Sequence, residues 1–406
     1  MADFREPTLP IVESEGVATV GNTKRDVDMS RMGAADRERT IVQFIELPDL
    51  RRLHPAGKGD FPARLRDILS GGPLDATIAE QPSLENELIA QATALSARAY
   101  PSHSTTERQS ARWIDHSARD SHHRALLALY QQHMRLPNHG LAVNQWHPLA
   151  CRLTGILESA WERDTLARAR AVVPLSDSDL PSEPGLFVEW YRRTAFTHPL
   201  YEHELYSFLA SEATLEQIHW FFTMESAGEA AFDDLVALSQ VGTRGDVKME
   251  MASNYWDEMG NGKEHAVHTH LFHRLAADLD VTAPGADELP WQVLSGVNLM
   301  LWCSISRRNA FRAQGALGAV ELLAPQRCTR VVHGAHRVGI QKKTMSYYGA
   351  HAIIDIGHAE GWLEHVVRAQ VADIPDSRIG IAEGLVSRAN ASLDYFDYCL
   401  AKLRAQ

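Results

Sequence analysis

Apolar positions along this 406-residue chain recur at intervals of three and four, and no convincing strict alternation appears. That is the period of helices rather than strands. The stretch 83–100, SLENELIAQATALSARAY, shows it clearly, and 108–135 and 150–172 follow the same pattern. Residues 1–35 are polar with scattered Gly and Pro, which predicts a flexible N-terminal arm. A helical N-terminal region is expected over 36–180, with dimerisation as its candidate role. The stretch 174–185, PLSDSDLPSEPG, is dense in turn-forming residues and reads as a boundary. Beyond it the periodicity predicts helices over about 186–197, 200–210, 214–240, 246–259, 264–279, 287–323, 340–370 and 378–404. Thr214 and Gln217 are spaced as a capping box that opens the third of these. Gly260-Asn261-Gly262 stops the fourth. The expected fold class is all-α, a helical bundle over 186–406 with an N-terminal helical extension.

Composition narrows the function. Apolar residues make up 45% and charged residues 23%, as in ordinary globular proteins. A net charge of −12 argues against generic binding to nucleic acid or anionic membrane, both of which need a basic surface. No apolar run reaches membrane-spanning length, and the first residues lack the apolar core of a secretory signal. The four cysteines are widely spaced and form no CxxC, which fits free thiols in a reducing cytoplasm.

Histidine is abundant, with 20 residues. His351, Asp355 and His358 fall on one helical face, so two imidazoles and a carboxylate point the same way. Glu321 lies in GALGAVELL, a stretch whose apolar surroundings predict burial on all sides. A buried carboxylate must be neutralised, paired or metal-bound. The competing explanation is an ion pair with Arg308 or Arg312. The neighbouring small residues Gly315, Ala316, Gly318 and Ala319 leave space for a ligand or for close helix contact. Glu258 closes one predicted helix and His268 sits on the next, across the Gly-Asn-Gly turn. Glu225 and Glu229 are one turn apart, and Glu225 is the preferred acid of the two. Three imidazoles with about four carboxylates suit iron or manganese better than structural zinc. Such a set can hold two iron ions that activate O2. The ferritin-like diiron fold would need two ExxH motifs, and only Glu216-Gln-Ile-His219 is present. A crowd of acids is equally wrong for a heme pocket.

These residues, in this order, resemble the heme-oxygenase-like diiron oxidases and oxygenases, over roughly residues 186–370. FDDLVALSQVGT, NYWDEMGNG, His268, Glu321 and the 351–358 run carry the likeness. The resemblance implies metal ligation by Glu225, Glu258, His268, Glu321, His351, Asp355 and His358. It also implies a catalytic role for Glu258. An extra carboxylate ten residues before the His marks the N-oxygenating members, so the implied activity is oxidation of a small-molecule amine to an N-hydroxy or nitro product in natural-product biosynthesis. The alternative is an oxidase of the same fold that desaturates or cleaves the carbon chain of an amino acid or fatty acid. The implied cofactors are two Fe ions with O2 as co-substrate. An external electron donor, a reductase or ferredoxin, and a homodimer are the implied partners.

Overall fold

The computed structural model describes residues 60–101, 114–135, 142–229 and 232–406. The arm over 1–35 lies outside them. Residues 1–45 and 46–406 separate into two units, and all described residues fall in the second. That unit is all-α; among the described residues there is no strand. The first helices are α1 (Phe61–Ser70), α2 (Leu74–Glu80), α3 (Leu84–Ala99), α4 (His116–Tyr130) and α5 (Pro148–Val172). From the end of the 174–185 stretch onward come α6 (Pro184–Thr197), α7 (Glu204–Ser211), α8 (Leu215–Glu229), α9 (Phe232–Ser239), α10 (Gly245–Glu258) and α11 (His268–Asp278). Then follow α12 (Trp291–Ile305), α13 (Ala310–Arg337), α14 (Ser346–Gly361), which a π-helical turn and a short α-helical turn continue to Asp373, and α15 (Ser377–Arg404). No helix among the described residues is long and apolar enough to cross a membrane.

Local chemistry explains several ends. Thr214 and Gln217 form the expected reciprocal cap: the Gln217 amide donates to Thr214 Oγ1 at 3.2 Å, and the Thr214 amide to Gln217 Oε1 at 2.9 Å. The turn after α10 needs left-handed backbone at Gly260, Asn261 and Gly262, which two glycines and an asparagine supply. Two expectations need correction. The helix expected over 287–323 is two helices, α12 and α13, broken where Ser306 turns extended. The second half then runs on through Pro325 to Arg337. Pro325 has no N–H for the Glu321 carbonyl four residues back, so the ladder is loosened there. Burial on both sides of the proline keeps the helix intact.

The long α13 is the centre of the bundle, flanked by α14 and α15. Glycines set the closest approaches. A Cβ on Gly315 would collide with the Ile381 carbonyl of α15, and one on Gly318 would lie 2.6 Å from the Trp362 ring. The small residues beside Glu321 therefore serve helix contact; of the four, only Ala319 borders the internal cavity described below. Gly315→Ala is expected to destabilise by roughly 1–3 kcal/mol through overpacking. Gly155→Ala, with nothing within 4 Å of the added carbon, should be neutral or stabilising. Chemical denaturation of both variants checks the contrast.

Helices from before and after the 174–185 stretch share one apolar core. The Arg168 guanidinium holds Asp394 at 2.7 and 2.8 Å, Arg170 reaches Glu383, and Arg308 reaches Glu158. Asn298 donates to the backbone carbonyl of His123 at 2.8 Å. The N-terminal helices thus back α12 and α15, two walls of the internal cavity.

Candidate metal centre

The middle of helix α14 turns its polar side inward, although its ends bury Tyr347, Tyr348 and Ala359. Ile353 and Ile356 are 74% and 55% exposed, while Asp355 is buried and His358 keeps 11% of its side chain exposed. Burial of apolar area would turn this helix the other way. Something in the interior must therefore stabilise the polar face.

Its inward groups meet side chains from three other helices. His268, at the start of α11, has Nδ1 against the Glu258 carboxylate and 2.8 Å from His351 Nε2. His358 Nδ1 lies 3.4 Å from Glu321 and 3.6 Å from Asp355. Two sets of donor atoms result: Glu258, His268 and His351 form one, and Glu258, Glu321 and His358 the other, each within 4.8 Å. Glu258 belongs to both.

Each imidazole is oriented from outside. His351 Nδ1–H donates to the Tyr347 carbonyl at 2.7 Å, His268 Nε2 meets the Tyr347 hydroxyl at 3.0 Å, and His358 Nε2–H donates to Asp257 at 3.2 Å. The second ring nitrogen faces carboxylates in His268 and His358, and faces His268 Nδ1 in His351. This is how metal-binding histidines are held in the right tautomer. Glu321 is fixed the same way, accepting from Asn254 Nδ2 at 3.1 Å. Its ion-pair explanation fails: Arg308 engages Glu158 and Glu162, and Arg312 engages Glu383 and Glu162.

The electrostatics show how unsettled this set is by itself. Burial first, then Glu321 and Glu258, push the Asp355 carboxyl up to about 9. Burial works against a charged His358, but Glu321, Asp257 and Asp355 outweigh it and raise its imidazolium to about 9. Burial would also raise Glu258, and His268, His351 and His358 hold it below the usual carboxylate range. His358 Nδ1 and Glu258 Oε2 are buried and lie against Glu321 and His268 respectively without good hydrogen-bond geometry, and a cation among them would satisfy both.

Glu225 stands apart from both sets. It pairs with Arg327 of α13, accepts from the Tyr395 hydroxyl at 2.7 Å, and lies 3.4 Å from that of Tyr348. Three residues in the shell escaped the sequence reading. Asn254 sits one turn before Glu258 on the same helical face, so its spacing held the signal, whereas Asp257, adjacent to Glu258, points off that face and had none. Asp233 of α9 feels both His268 and Glu258, and burial raises its carboxyl; no spacing rule singled it out from Asp234.

Residues 219–393 match the family described as iron-containing redox enzyme. That span reaches from α8 to α15 and includes every residue of both donor sets. Over that segment, less than half of the chain, the protein is similar to the iron-containing redox enzymes. No curated protein matches the chain. The family makes the domain an oxidoreductase and iron the metal it is associated with. The donor set suits that metal, since imidazole with several carboxylates is a hard-to-intermediate environment that iron accepts readily. Within residues 219–393 the three imidazoles and the carboxylates of Glu258, Glu321 and Asp355 converge on one another.

Proposed function

We propose that this chain is a non-heme diiron N-oxygenase. The supporting observation is Glu258 at the junction of the two donor sets, with an imidazole nitrogen on each side. In this reading His268 and His351 hold one iron, Glu321 and His358 the other, Glu258 serves both, and Asp355 adds a carboxylate near His358. Two iron ions, when bound, supply the activation of O2. The overall change is amine plus O2 plus two electrons and two protons giving N-hydroxylamine plus water, the electrons coming from an external protein reductase or ferredoxin.

The chain's own contribution is orientation and exclusion of water. Tyr347 fixes two imidazoles, by hydroxyl and by carbonyl. Phe232 stacks on His268 at 5.8 Å between ring centres and shields it. Asp257 keeps the proton of His358 on Nε2, so Nδ1 is free to ligate.

Incubation of iron-loaded protein with a reductant, O2 and a panel of small amines tests the activity. The expected product is heavier by one oxygen, attached to nitrogen. Shortened or desaturated carbon chains, with nitrogen untouched, would instead support the carbon-oxidising alternative and end the N-oxygenase reading.

Proton linkage gives a second check. Asp355 and His358 must be deprotonated to ligate, and both are pushed up to about 9. Fe(II) loading at pH 7 should therefore release roughly two protons. Protons compete with the metal below about 9, so apparent affinity should rise with pH across 6–9 and fall on acidification. Anaerobic titration calorimetry in buffers of different ionisation enthalpy measures the proton count.

A further inference from the structure

A cavity of about 170 Å³ opens beside Glu258, Glu321 and Asp355, with α8, α12, α13 and α15 among its walls. An apolar cavity of about 150 Å³ accommodates benzene, so this one suits a molecule of roughly six to ten non-hydrogen atoms. Much of the wall away from the metal donors is apolar, contributed by residues such as Met224, Val293 and Met300. Polar groups on the rest of the wall include Gln292, the mutually paired Glu225 and Arg327, and a set on α15. Arg388, Ser392 and Tyr395 all border the cavity, at spacings i, i+4 and i+7 that make one stripe along the helix.

The position of Arg388 follows from how the helices lie. Gly315 of α13 abuts Ile381 of α15, and Arg327 lies over Phe396 at 5.8 Å, so the two helices run side by side in the same direction. On that alignment Arg388 is about level with Glu321, on another wall of the cavity. Its guanidinium rests over Gly296 of α12, where an added Cβ would come within 3.2 Å of Nη1. The absence of a side chain at 296 gives the guanidinium this seat. A guanidinium only donates hydrogen bonds, in a planar fork that matches a carboxylate. The Ser392 hydroxyl one turn along adds another donor.

We propose that the substrate is a small amino carboxylate. Arg388, with Ser392, binds its carboxylate, and the amine is presented to the Glu258–Glu321 end of the cavity. Arg388 is then a specificity-determining residue that touches substrate remote from the reacting nitrogen. This assignment rests on the N-oxygenase reading for the fate of the amine, but the carboxylate seat is testable without it.

Anaerobic calorimetry on the Fe(II)-loaded protein supplies that test. The ligands are the proteinogenic amino acids and short ω-amino acids of up to about ten heavy atoms, each beside its carboxamide analogue. At least one amino acid should bind, and its carboxamide at least about tenfold more weakly, since a charge-assisted pair becomes a neutral one. Arg388→Gln should erase that preference, and Arg388→Lys should restore part of it, because a lysine keeps the charge and loses the fork. Ser392→Ala should weaken amino acid binding less. The inference is overturned if no amino acid binds, if acid and carboxamide bind equally to the wild type, or if Arg388→Gln keeps the preference. The wild-type comparison stands even if the arginine variants fail to fold. A carboxylate preference without nitrogen oxygenation in the product assay would leave the seat standing and refute the N-oxygenase reading. An oxygenated amine without that preference would refute the seat alone.

Discussion

Glu258→Ala is expected to lose iron from both donor sets at once. Removing an outer partner of a metal ligand typically costs 10–100-fold in affinity, and Glu258 stands inside both sets, so a loss beyond about 100-fold is expected at each. Glu321→Ala and His268→Ala should behave differently, because each belongs to one set only. Metal analysis after anaerobic loading should then find the two single-set variants keeping about half the wild-type iron, and Glu258→Ala close to none. Equal, partial loss in all three variants would mean that Glu258 serves one position only. Full iron content in Glu258→Ala would remove the proposed centre altogether. Folding is the control: Glu258 is buried against His268, so circular dichroism and thermal unfolding of each variant must accompany the metal count.

Arg327→Ala is expected to damage the fold more than the metal centre. It strands the Glu225 carboxylate, which is 5% exposed and relies on Arg327 for its counter-charge. Breaking one side of a buried pair costs roughly 3–5 kcal/mol, whereas replacing both sides by neutral groups of similar volume is often tolerated. The double variant Glu225→Gln with Arg327→Met should therefore recover most of the stability lost by Arg327→Ala, as read by denaturant unfolding. The same double variant should load iron to the wild-type level, because Glu225 lies outside both donor sets. The resemblance implies ligation by Glu225, while the structure places that carboxylate on arginine and tyrosine, so the iron content of this variant decides its role. Iron loss without loss of stability would return Glu225 to the ligand set.

The helical class was legible because a 3.6-residue period survives in any helix with one buried face, whatever it packs against. His351, Asp355 and His358 were legible for the same reason, being on one face of one helix. Glu321 stood out because a carboxylate among Gly, Ala, Val and Leu has no inexpensive place to go. The break between α12 and α13 was missed because both halves are apolar enough to read as one long buried helix. The continuation through Pro325 was missed because the proline's local penalty is overridden by burial on both sides of it. Asn254 could have been found, as it lies one helical turn before Glu258, while Asp257 shares no face with it. Glu225 is the instructive case: its sequence neighbours suit a ligand, but Arg327 lies about a hundred residues away and no local pattern signals that pairing.

By itself, then, the sequence determined which side chains share a face and which acid would be expensive to bury, since both depend on periodicity and local polarity. Only the tertiary structure decided that Glu258 belongs both to the His268–His351 set and to the His358 set, that Glu225 lies against Arg327, and that Arg388 borders the same cavity as Glu321. Those facts depend on how separate helices are placed against one another, and that placement is set by packing across the whole core, where shape and volume count and order along the chain does not.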